Sequence, residues 1–287
     1  MTFKSWKAVC APWKEGGFGL KELLSWNKAM LLQWVWKLGS TDDSFWVTWI
    51  QSYPFKGIDV WHTPIKESFP DSLKGILKVR DACIQLAGGI QQAQLLVQTC
   101  VHQGRFIISK GYELFRTRHP AVPWAEPISR HVIVPAHRIT ISLALEAHLP
   151  TVDNVIGKGL IMPNRCSLCR ADAESHGQLF FHCAYAKVVW QALLTWIGIN
   201  RRGMTLKQEI GWIKSRKHRK HWSANWFICT LAAAVHFLWH ERNQRIFTSQ
   251  ERSPEILVQQ IKYIVGVGLL AFSKDSIYNT LVEHLAR

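Results

Sequence analysis

The sequence predicts a mainly α-helical protein, an irregular helical bundle interrupted by one short cysteine-bearing insertion. Three observations predict it. Apolar residues recur at three- and four-residue spacing through several long segments. No clear set of alternating strands and no internal repeat is visible. Three cysteines, Cys166, Cys169 and Cys183, gather just ahead of and within one of the periodic stretches.

Taken in order, Lys14–Gly19 is a turn, with glycines supplying positive φ or close backbone approach. No Gly-Lys-Ser/Thr follows, so it is not a phosphate loop. Leu20–Leu38 has helical spacing at Leu20, Leu23, Leu24, Met30, Leu31, Trp34, Val35 and Leu38, and Gly39 stops it. Asp43 or Ser44 caps a helix carrying Phe45, Trp46, Trp49 and Ile50. Tyr53–Pro70 holds three prolines and reads as loop; Ser72–Ala87 is helical and ends at Gly88-Gly89. Gln91–Tyr112 has no single period. Pro120, Pro123, Pro127 and Pro135 mark a linker or domain edge, which divides the chain into regions 1–118 and 119–287. Arg138–His148 is helical up to Pro150, and Thr151 caps a short helix to Gly157 with Asp153 near its positive end. Leu179–Ile197 reads as one helix, with Leu179, Cys183, Val189, Trp190, Leu193 and Ile197 toward a core. Helices are expected again over Trp226–Phe247 and Pro254–Phe272.

The composition supports a packed chain: 48% of the 287 residues are hydrophobic and 19% charged, which excludes a disordered protein. Fifteen tryptophans supply large buried area and flat surfaces for stacking. The net charge of +15 and pI near 9.7 favour polyanionic partners, nucleic acid first and an anionic membrane surface second. Seven cysteines, an odd number in a chain of this size, fit reduced thiols inside a cell better than a disulfide framework. No signal peptide is visible, and the longest apolar run, Trp226–Trp239, is too short to span a bilayer comfortably. A nuclear or cytoplasmic protein, not secreted and not in a membrane, is expected.

Cys166-Ser-Leu-Cys169 places two thiolates on one tight turn, the usual half of a zinc site. Cys183 adds a third sulfur, and His176 and His182 lie between. Three sulfurs and one imidazole close a tetrahedral shell with no open position, which is structural zinc chemistry. The insertion is therefore a small zinc-knuckle-like unit.

These residues also carry a family resemblance. Cys166-Ser-Leu-Cys169, Glu174-Ser175, Leu179-Phe-Phe-His-Cys183 and Val189-Trp190 resemble the reverse-transcriptase zinc-binding domain. That domain lies in the C-terminal part of plant LINE-type (non-LTR) retrotransposon polyproteins. Val134-Pro135, Leu149-Pro150-Thr151 and Asp153 resemble the stretch before its zinc motif, and Ala232–Phe247 its late helix. Cys10, Glu15–Gly19, Trp26–Ala29 and Trp34–Lys37 resemble the segment that follows the polymerase palm. The resemblance implies a non-catalytic zinc protein with ligands Cys166, Cys169 and Cys183. It departs from the family at Gln178, where the family has histidine; the fourth ligand is then His176 or His182, or water, or the site has decayed, and His176 is the favoured choice. The stretch between Arg80 and Arg105 is also shorter than in the family.

Catalysis is not expected. A polymerase needs paired aspartates holding two cations. The adjacent pair Asp42-Asp43 lacks the preceding aromatic and sits where helix capping explains it. Neither a ribonuclease H nor an endonuclease segment is recognisable, and no small-molecule substrate is expected. His236 and His240, at i and i+4, lack the order of a metal motif and are expected to be core or surface histidines. Lys214, Arg216, Lys217, Arg219 and Lys220 form a basic run suited to phosphates or to a nuclear address. Trp212 and Trp222 flank it. The expected function is retrotransposon-derived zinc binding with RNA or DNA held on the basic surface. A protein-interaction scaffold and a relic without selected function are the alternatives.

Overall fold

A computed structural model describes residues 4–40, 44–157, 159, 164–215 and 221–271. Along the chain the helices are α1 (Trp6–Cys10), α2 (Leu23–Leu38), α3 (Phe45–Ser52), α4 (Asp71–Ala87) and α5 (Ile90–Thr99). A ribbon of β1 (Val101–His102) and β2 (Arg105–Phe106) follows, then α6 (Ile108–Phe115), α7 (Ala125–Ile128), α8 (Pro135–Leu145) and α9 (Val152–Ile156). A π-turn, Gln178–His182, leads into α10 (Ala184–Trp196), and α11 (Leu206–Ser215), α12 (His221–Phe247) and α13 (Pro254–Ala271) complete the fold. Mainly α architecture is what the periodicity predicted. The stretch without a period, Gln91–Tyr112, resolves into α5, the ribbon and most of α6. Positive φ at Gln103 and Gly104 supplies the hairpin turn that pairs Val101 with Phe106.

One compact unit is Gly19–His119. In it α2 packs against α4 and α6 around Leu32, Val35, Leu38, Leu73, Ile76 and Leu77. The buried face of α2 is Ser25, Ala29, Leu32, Val35 and Leu38. Leu23 and Leu24, which share the helical spacing of this segment, are 75% and 72% exposed. Small residues win that face because the partner helix comes close: a Cβ added to Gly111 of α6 would stand 3.4 Å from the Ala29 methyl. Ser25 Oγ donates to Phe115 O at 3.3 Å on the same seam. Tyr53–Pro70 is loop, as its prolines predicted. Buried Arg80 of α4 holds it, donating to Val60 O at 2.6 Å and Thr63 O at 2.5 Å.

The second unit joins Met1–Phe18 to Pro120–Arg287. A division at 118/119 put residues 1–18 on the other side, and their contacts correct it. Val122 N donates to Lys14 O at 2.9 Å, Lys4 Nζ meets Glu146 Oε2 at 2.6 Å, and the Arg138 guanidinium lies 4.5 Å over Trp13. The glycine turn works as its composition implied. Gly16 and Gly19 have positive φ, and at Gly17 a Cβ would fall 1.8 Å from Ala11 O. The organising helix is α12, against which α8, α13 and α10 pack. Its alanines 232–234 are buried and give the neighbouring helices close access. No helix among the described residues is long and apolar enough to cross a membrane.

His236 of α12 lies in this packing rather than in a metal cluster: its ring is 4.5 Å from that of buried His137 on α8, and Nδ1 meets Thr140 Oγ1 at 2.9 Å. His240 is exposed. Burial, and then His236, pushes the His137 imidazole down to about 4. Above pH 6.5 both the folded and the unfolded chain hold it neutral. As the pH falls from 6.5 to 4 the unfolded chain takes up a proton that the native state refuses, so stability falls. Urea melts of wild type and His137→Leu at pH 7 and 4.5 should differ by about 2–3 kcal/mol in their acid loss. Equal losses would refute this role for His137.

Candidate metal centre

The cysteine turn is built by the backbone first. Cys166 N donates to Asp172 O and Arg170 N to Cys166 O, each at 2.8 Å, and Arg170 closes the turn at φ +56°. Two further carbonyls of the turn are taken by α12: Arg245 Nη1 donates to Leu168 O at 2.9 Å and to Ser167 O at 3.3 Å. Buried Glu241 aligns Arg245 through Nε at 2.8 Å, and Tyr185 stacks beneath the guanidinium at 4.6 Å. The turn is thus clamped to a core helix by a charged side chain whose own partner is buried.

The third cysteine arrives by a break in what the sequence presented as one helix. Gln178–His182 forms a π-turn closed by Cys183 N donating to Gln178 O at 2.6 Å. Cys183 then leaves helical geometry, at φ −59° and ψ 132°, and serves as N-cap of α10. On an α-helix, residues 178 and 183 would point about 140° apart. The wider i→i+5 ring brings them toward one side. Of the core positions expected of this segment, Leu179, Cys183, Val189, Trp190 and Leu193 are buried and Ile197 is half-buried.

The result is a three-thiol cluster. The sulfurs of Cys166, Cys169 and Cys183 lie within 4.8 Å of one another, and those of Cys166 and Cys183 are 3.9 Å apart. With Zn–S bonds of about 2.3 Å, the sulfur–sulfur edge of a tetrahedral site is about 3.8 Å. Cys166 and Cys183 are buried and Cys169 half-buried. The hydrogen bond between the two close sulfurs lowers the pKa of the Cys166 thiol and raises that of Cys183. Spacing and burial fit zinc, with Cys166, Cys169 and Cys183 as the residues that would hold it. Bound there, the metal would cross-link the turn to the start of α10.

The expected imidazole is elsewhere. His176 Nε2 pairs with Leu149 O at 3.0 Å, and Asp153, His148 and Glu174 act on its charge. Its Nδ1 is buried without a hydrogen-bond partner, and it is not among the ligand atoms that gather at the three sulfurs. Burial holds its pKa down. His182 is exposed. The side chain that does reach the cluster is Gln178, whose Nε2 donates to Cys169 Sγ at 3.4 Å.

Beside the cluster, Glu174 is fully buried and pairs with Arg242 of α12 at 2.7 Å. The same carboxylate oxygen accepts Val152 N at 2.9 Å, capping α9, and Glu174 N donates to Asn164 Oδ1. Arg245 and the Glu174–Arg242 pair did not stand out as functional in the sequence. Acidic and basic residues on an otherwise apolar helix, Glu241, Arg242 and Arg245, were the available signal.

Of the basic run, Lys214 ends α11 with Nζ donating to Pro123 O at 2.9 Å. Arg216, Lys217, Arg219 and Lys220 lie outside the described residues, as does Asp42-Asp43. Trp212 is anchored to the core, 4.9 Å from Phe227 and covered by Arg201 at 4.4 Å.

Residues 106–190 match the family model for the zinc-binding domain in reverse transcriptase. The matched stretch holds all three cysteines, Glu174, His176 and Gln178. No curated protein and no solved structure matches the chain.

Proposed function

We propose that this chain is a non-catalytic, retrotransposon-derived zinc protein that binds RNA or DNA through a basic surface. The observation that carries the reading is the three-thiol cluster, set within the stretch that matches the zinc-binding model. Descent from the part of a LINE-type reverse transcriptase that follows the palm is supported by the motifs flanking that stretch, Trp6–Lys37 and Ala232–Phe247. The zinc is structural, since three sulfurs and a fourth protein donor leave no open position. The charge of +15 and the run from Lys214 to Lys220 supply the attraction for phosphates. The same run serves as a nuclear address.

Fluorescence anisotropy with labelled single-stranded RNA and duplex DNA, titrated with salt, tests the binding. Affinity should fall steeply with salt. Replacing Lys214, Arg216, Lys217, Arg219 and Lys220 together by alanine should lower the log–log salt slope by up to about four. Lys214→Ala alone should contribute least, because its ammonium is tied to Pro123 O. Absence of binding to either nucleic acid at low salt would sink the reading. Metal-dependent polymerase or nuclease activity lost on changing Asp42 and Asp43 would overturn its non-catalytic part.

A second reading has one specific observation. Phe45, Trp49 and Tyr53 stand at i, i+4 and i+8 along α3 and are all exposed, with Trp49 and Tyr53 stacked at 6.4 Å. Such a stripe suits a protein partner. A chain that is folded and zinc-loaded, yet indifferent to nucleic acid, would leave this scaffold role standing.

A further inference from the structure

We propose that Gln178 completes the metal site, its amide Oε1 taking the fourth position beside the three sulfurs. The proposal rests on the zinc reading above and names the fourth protein donor, which that reading leaves unassigned.

Four observations carry it. Gln178 is only 9% exposed, and its Oε1 is buried without a hydrogen-bond partner. An unpartnered amide oxygen there costs about 1–3 kcal/mol, and a cation relieves that cost. The other end of the same amide, Nε2, is already 3.4 Å from Cys169 Sγ. A half-turn of the amide exchanges the two atoms. With Zn–S and Zn–O of about 2.3 and 2.1 Å, a tetrahedral sulfur–oxygen edge is about 3.6 Å, so the amide already stands at coordination range. The π-turn is the third observation, because it turns residue 178 toward the side on which Cys183 enters. The fourth is the position of the histidines: neither gathers with the three sulfurs, His176 having its Nε2 tied to Leu149 O and His182 being exposed.

The chemistry distinguishes this site from a three-thiolate, one-imidazole site. A neutral amide oxygen keeps the same net charge of −1 on the zinc complex but is a harder, weaker donor than imidazole. The site should therefore hold zinc less tightly than a histidine version and release it to chelators more readily, while remaining closed to outside ligands.

Zinc content, zinc X-ray absorption and chelator competition on the full chain test this with wild type, Gln178→Ala, Gln178→His and His176→Ala. Wild type should carry one zinc with three sulfur neighbours and one oxygen or nitrogen, without the outer-shell pattern of an imidazole. Gln178→Ala should bind at least about tenfold more weakly, and Gln178→His about 10–100-fold more tightly. His176→Ala should match wild type. With cobalt in place of zinc, added imidazole should shift the visible bands of Gln178→Ala and leave those of wild type unchanged. That last readout separates a ligand from a mere hydrogen-bond donor to Cys169. Imidazole scattering in wild type, or wild-type cobalt bands that respond to added imidazole, would overturn the proposal while leaving the zinc reading intact. Absence of stoichiometric zinc from wild type would bring down both.

Discussion

Cys183→Ser is expected to abolish stoichiometric zinc binding and to cost several kcal/mol of stability. Zinc-finger peptides gain about 10–16 kcal/mol from their metal. Here the helices around α12 retain part of the fold without it, so the loss should be smaller. The substitution reads the metal cleanly. Serine is nearly isosteric, and Cys183 is the N-cap of α10, a position that favours serine. The helix start is thus not penalised, and what is lost is the bond between α10 and the cysteine turn. Cys229 is the control thiol: buried on α12 with its pKa pushed up to about 12, it lies 3.4 Å from Val132 O and away from the cluster. Cys229→Ser should keep the metal. Metal analysis with thermal melts, with and without chelator, checks both variants. A Cys183→Ser protein that still purifies with one zinc per chain would show that the thiol cluster is not the site.

Glu174→Ala should be nearly as damaging without touching a sulfur. It leaves the Arg242 guanidinium buried and unpaired and removes the acceptor of Val152 N. Breaking a buried pair from one side costs about 3–5 kcal/mol. Glu174→Gln keeps the shape and an acceptor for Val152 N, and should cost less. Pairing Glu174→Gln with Arg242→Met should recover part of the loss, because no charge is then stranded. Denaturant melts of the single and double variants measure the coupling directly. A Glu174→Ala variant within about 1 kcal/mol of wild type would mean that Arg242 finds water or another acceptor. The pair also ties the stretch after the cysteine turn to α12, so zinc affinity should fall along with stability.

The outcome at particular residues shows where sequence reasoning reached. Gly16, Gly17 and Gly19 declared a turn, and each is there for a reason a glycine expresses: positive φ or lack of room. The prolines of Tyr53–Pro70 declared a loop. The buried face of α2 is not written in its apolar spacing: Leu23 and Leu24 look more apolar than Ser25 and Ala29, yet closeness to α6 rewards the smaller residues. Helix α11 passed unnoticed: it is short, and its buried positions include Glu209, which takes Trp190 Nε1 at 3.0 Å and Met204 N at 2.8 Å. A charged residue in that role carries no hydrophobic signal.

By itself the sequence determined that this protein is mainly helical and picked out Cys166, Cys169 and Cys183, whose sulfurs the fold brings together. Helical periodicity and the Cys-x-x-Cys spacing are local properties, written within one turn or a few turns of chain. Only the tertiary structure decided what completes the cluster. Apolar periodicity runs through Leu179–Ile197 without interruption, so nothing local announces the π-turn or the break at Cys183. That break exists because a buried thiol must meet a turn fourteen residues upstream, and that turn is held by Arg245 from α12. The same long-range packing turns His176 to Leu149 O and points Gln178 at Cys169. Ligand identity at the fourth corner is a matter of where helices lie against one another, which residue type and spacing do not encode.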